Sequence, residues 1–90
     1  MAKIKGWRKI KDGTFLKTNR KEIIWENKKM PFNSLVRIIE LDPDLSVMRY
    51  EVYATKRKNG KQTIPFSKQV YTLKEAKQIA KNYMKKHPRG

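Results

Sequence analysis

A chain of 90 residues with 23 Lys and Arg against 8 Asp and Glu carries a formal charge of +15 and has room for one domain (1–90) with a modest core. It contains no cysteine, which excludes disulfides and thiolate sites, and no apolar stretch near the ~18 residues that a membrane span requires. The opening Met1-Ala2-Lys3-Ile4-Lys5 has no apolar run, so no signal peptide is expected and the expected location is the cytoplasm.

In chain order, Gly6-Trp7-Arg8-Lys9-Ile10 and Thr14-Phe15-Leu16-Lys17-Thr18 are predicted as short strands, with Lys11-Asp12-Gly13 as the hairpin turn between them. Glu22-Ile23-Ile24-Trp25-Glu26 is rich in β-branched and aromatic residues and predicts a further strand, ended by Lys28-Lys29-Met30-Pro31. Leu35 to Leu41 is apolar on both faces, which predicts a central strand. Asp42-Pro43-Asp44 predicts a turn. From Val47 to Thr55 the pattern alternates: Met48, Tyr50, Val52 and Ala54 point one way, and Arg49, Glu51 and Tyr53 the other. Asn59-Gly60 is a strong hairpin signal, because a type I′ turn needs positive φ at both central residues. Gln62 to Phe66 returns as a strand, and Pro65, which lacks an N–H, predicts that it lies at a sheet edge or leaves the sheet there.

The last element is a helix. Thr72-Leu73-Lys74-Glu75 fits a capping box, and Leu73, Ala76, Ile79, Ala80, Tyr83, Met84 and His87 fall on one face at ~100° per residue. Pro88 stops it. The fold class expected is α+β: an antiparallel sheet of four to six strands, covered on one face by a single C-terminal α-helix.

The charge is segregated. Residues 1–34 carry ten basic and three acidic groups, residues 35–55 two and four, and residues 56–90 eleven and one. Solubility alone asks only about 2–8 net charges of a small domain, so the excess points to a polyanionic partner. Lys74, Lys77, Lys81 and Lys85 form a stripe along the helix without interleaved Glu, although like charges four residues apart oppose helix formation. That stripe is a candidate ladder of phosphate contacts. Lys56-Arg57-Lys58-Asn59-Gly60-Lys61 places four positive charges on a hairpin tip, and a two-stranded ribbon fits the major groove of B-DNA. Arg57 is the residue best suited to bidentate bonding with guanine. Trp7, beside Arg8 and Lys9, and Tyr53, on the strand face of Arg49, are candidate stacking platforms, worth roughly 1–3 kcal/mol per base in that role. Lys outnumbers Arg by 17 to 6, and a compact ammonium suits backbone contacts of little sequence specificity better than the bidentate guanidinium does.

Catalytic signals are weak. His87 is the sole histidine and stands where a His commonly caps helix carbonyls. No Ser-centred elbow, zinc-ligand set or Gly-rich phosphate loop occurs, so no enzyme, metal or cofactor is expected.

The stretch from Arg49 to Met84 resembles sheet-plus-helix DNA-binding domains of the AP2 and phage-integrase arm type. The carriers are Tyr50-Glu51-Val52-Tyr53, the basic turn through Asn59-Gly60, a returning strand ending near Phe66, and Tyr71-Thr72-Leu73-Lys74-Glu75-Ala76 opening the helix. The resemblance implies a sheet that docks in the major groove with the helix behind it. Residues 1–41 add strands that such a domain does not require. The expected partner is therefore nucleic acid, DNA ahead of RNA, which would place the protein on the nucleoid. The alternatives are an RNA-binding or ribosome-associated role, or a module for an acidic protein.

Overall fold

The computed structural model describes residues 4–15, 20–45 and 47–88. Five strands, β1 (Trp7–Phe15), β2 (Arg20–Asn27), β3 (Met30–Glu40), β4 (Tyr50–Lys58) and β5 (Lys61–Val70), precede one helix, α1 (Leu73–Lys86). The strands form a single antiparallel meander in the order β1-β2-β3-β4-β5. The α+β architecture expected from the sequence is therefore present, with Pro65 on an edge strand and Leu35 to Glu40 in the central one.

One sheet face is apolar and lies under the helix. Trp25, Val36 and Ala54 share one cross-strand row, and Ile23, Ile38 and Val52 the next. Ala76, Ala80 and Met84 of α1 close over them, and all nine are buried. Each fully buried Val, Ile or Met contributes roughly 1.5–3 kcal/mol. The two alanines bring the helix close to the sheet. The Thr72 N-cap forms: its hydroxyl accepts from the Glu75 N–H at 3.2 Å and donates to Glu75 Oε1 at 3.0 Å, so Glu75 reaches back to the cap's side chain.

Tyr83 approaches Phe66, so α1 runs back along β5 toward the Asn59-Gly60 turn. Its C-terminal end is tied to the start of the chain. The Trp7 Nε1–H donates to the His87 carbonyl at 2.9 Å, and the Asn27 side-chain amide donates to the Pro88 carbonyl at 3.1 Å.

One expectation needs correcting. Lys11-Asp12-Gly13 is not a turn. β1 runs unbroken through it, with Asp12 opposite Ile23 and Gly13 opposite Glu22. Its pairing is instead interrupted by a register shift at Ile10, between Lys9 and Lys11. The physical reason is partner choice: β2 offers the whole length of β1 a partner, which a hairpin of two five-residue strands cannot match. The second of those short strands, Thr14 to Thr18, extends into residues 16–19, outside the described part of the chain. The alternating strand also begins later than expected, at Tyr50; Val47, Met48 and Arg49 form a bend.

Candidate functional site

The register sorts the charged residues along the strand direction. At one end stand the β4–β5 turn and the two-residue β2–β3 turn, Lys28-Lys29, because Asn27 pairs with Met30 and Ser34 with Lys56. The C-terminal end of α1 lies at this same end, fixed there by Trp7 and Asn27. Eight cationic residues gather there: Lys28, Lys29, Lys56, Arg57, Lys58, Lys61, Lys85 and Lys86. Lys56 is half-buried and the other seven are exposed.

The acids lie elsewhere. Asp12, at the Ile38 row, Glu22 and Glu51, at the Ile39 row, and Glu40 and Asp42 beyond them occupy the opposite half of the sheet. Asp44 follows in the β3–β4 loop, and Glu75 opens α1 directly after Val70. Of the 8 acids, Glu26 alone stands near the cationic end, opposite Leu35. Its side chain is only 4% exposed and is already paired with Arg8, whose Nε–H donates to Glu26 Oε1 at 3.1 Å.

The N-terminal cations are largely spent on ion pairs. Among the described residues these pairs draw on Arg8, Lys9, Lys11, Arg20 and Lys21, with Glu26, Asp12, Glu22 and Asp42 as partners. Lys9 bonds Asp12 Oδ2 at 3.0 Å and also stands 5.7 Å from the Trp25 ring centroid. The hydrogen bond from Lys9, together with the charges of Lys9, Lys21 and Lys77, holds the Asp12 carboxyl below its usual range. No ion pair among the described residues involves the β4–β5 tip or the last turn of α1.

The residues singled out from the sequence therefore fall into separate places. Lys56, Arg57, Lys58, Lys61 and Lys85 meet at the cationic end. Lys77 and Lys81 continue outward along the exposed helix face, while Lys74 and Arg49 stand at the opposite end of the molecule. Arg8 and Lys9 are engaged as above. Trp7 is 3% exposed and belongs to the core; with its indole N–H committed to the helix end, it offers no surface for stacking. Tyr53 lies half-buried on the face away from the helix, between Arg37 and Ser67, with its hydroxyl 3.5 Å from Arg37 Nη1.

Lys28, Lys29 and Lys86 were not singled out, although each joins the cationic end. The available signal was local: two lysines between two β-rich runs form a turn whose charges must project, and Lys85-Lys86 doubles the charge of the last helical turn. Comparison with protein-family models, curated proteins and solved structures finds no match for this chain. No helix among the described residues is long and apolar enough to cross a membrane.

Proposed function

We propose that this chain is a non-enzymatic nucleic-acid-binding module, with DNA favoured over RNA, that grips the phosphate backbone through its cationic end and shows little sequence specificity. The observation that supports the reading most is the gathering of eight cations, none in an ion pair among the described residues, from three separate segments, while seven of the eight acids stand toward the other end. Like charges crowded in this way oppose folding by self-repulsion, and a phosphate backbone relieves that cost by releasing its own counterions. The predominance of Lys suits contacts to phosphates rather than reading of base edges. The Tyr50–Val70 hairpin with α1 behind it keeps open the AP2-like mode of docking. β1 and β2 widen the sheet on the far side of β3, and the face away from the helix carries Glu22, Glu26 and Glu51 among its cations. Phosphate binding is therefore assigned to the end of the sheet rather than to its open face. The place of action proposed is the cytoplasm, on the nucleoid.

The test is a salt titration of binding to a labelled DNA duplex, with structured RNA as competitor. Six to ten phosphate contacts predict a loss of ~10³–10⁵ in affinity between 50 and 200 mM salt. A flat titration would remove the reading.

A further inference from the structure

Beside the cationic end, β5 and α1 leave an open groove of about 410 Å³ whose walls include Phe66, Lys68, Asn82, Tyr83, Lys86 and His87. The volume falls within the range of ordinary small-ligand sites, about 300–1,000 Å³. Its floor is an aromatic ladder. The Phe66 and Tyr83 ring centroids are 5.4 Å apart, and Tyr83 and His87 stack at 4.2 Å with planes 21° apart. The ladder passes from half-buried Phe66 and Tyr83 to exposed His87, so its last rung faces solvent. Burial raises the Tyr83 phenol above its usual value. His87 is held in place by Nδ1, 2.9 Å from the Tyr83 carbonyl.

We infer that this groove takes one unpaired nucleotide of a nucleic-acid strand, its base stacked on the outward face of the His87 ring, which Tyr83 backs, and its phosphate held by Lys68 and Lys86. This rests on the proposed function and deepens it. The chemistry selects the occupant. Lys68 and Lys86 flank an aromatic floor, and none of the lining residues is acidic, so the ligand is both aromatic and anionic. The Asn82 amide supplies a donor and an acceptor for a base edge. Lys86 belongs both to the groove and to the cationic end, so a backbone lying along that end leads directly into it. A base inside a duplex already has both faces stacked and cannot enter; a base in an overhang, gap or single strand can.

Stacking of one base predicts a preference of about 5- to 150-fold. The experiment compares a blunt DNA duplex, the same duplex with a short thymine overhang, and the same duplex with an abasic overhang that keeps the phosphates. The thymine overhang is expected to bind at least about 5-fold more tightly than the other two. His87→Ala, at an exposed position, and Tyr83→Leu should abolish the preference and leave blunt-duplex binding unchanged. Tyr83→Phe should retain it. Thermal unfolding confirms that each variant is folded, and His87→Ala decides the matter if Tyr83→Leu is not. Equal binding of thymine and abasic overhangs, or a preference that survives His87→Ala, overturns the groove assignment while leaving the proposed function standing. Absence of binding to every probe overturns both.

Discussion

Gly6 shows how much of this fold hangs on single atoms. Its φ is +85°, a conformation that costs an L residue roughly 1–2 kcal/mol, and a Cβ there would press into the Pro88 carbonyl. The Gly6 carbonyl also accepts from the Lys28 N–H at 2.8 Å. Three segments distant in sequence thus meet around a residue with no side chain. Gly6→Ala is expected to destabilise the protein by more than 1–2 kcal/mol, and to lower the midpoint of thermal unfolding by about 4–8 °C for each kcal/mol. Gly60 is the control. Its φ is +79°, but a Cβ there would meet nothing within 4 Å, so Gly60→Ala should incur the conformational cost alone. If the two variants melt together, the contact between Gly6 and Pro88 is unimportant. At the same scale, Trp7 explains why its role was not legible. Beside Arg8 and Lys9 it reads as core or as a stacking surface, and the acceptor that commits its indole N–H to the core is a carbonyl 80 residues away.

At the scale of elements, local chemistry was a good guide where it was self-sufficient. Asn59 and Gly60 adopt φ of +54° and +79°, as the type I′ turn requires. The Thr72 cap and the apolar stripe of α1 are likewise complete within a few residues. Thr72→Ala removes the acceptor for the Glu75 N–H and should cost about 0.5–2 kcal/mol, read as a fall in unfolding midpoint; a change within error would deny the cap that role. The misread turn at Lys11-Asp12-Gly13 shows the opposite case. Asp-Gly has the chemistry of a tight turn, yet Asp12 is held by Lys9 and Lys21 from neighbouring positions of the sheet. Gly13 is accommodated in the strand. Tertiary pairing outweighed a local preference worth at most a few kcal/mol.

For the whole molecule, the consequential feature is the separation of charge along the strands. If the β4–β5 tip contacts phosphates, replacing Lys56, Arg57, Lys58 and Lys61 by alanine should lower the slope of log affinity against log salt by about 3–4, at about 0.9 per contact on B-DNA. Replacing Arg20 and Lys21, at the far end, should leave the slope unchanged. Equal effects from the two sets would mean that the charge acts diffusely and that the cationic end is not a site. Lys28 and Lys29 belong to the same argument. They are an unremarkable turn in the chain, and only the position of β2 beside β3 places them with the tip and the helix end.

The sequence by itself determined the elements from β2 onward, the buried helix face, the Thr72 cap, the edge position of Pro65 and the size of the charge excess. Each of these depends on periodicity or on residues a few positions apart. Only the tertiary structure decided where that charge lies, because the answer depends on which strands neighbour one another and on which way the helix runs back across them. Acids in β1, β2 and the β3–β4 loop neutralise cations of the N-terminal third through space. The eight cations of the cationic end come from three segments, joined only when the sheet is assembled.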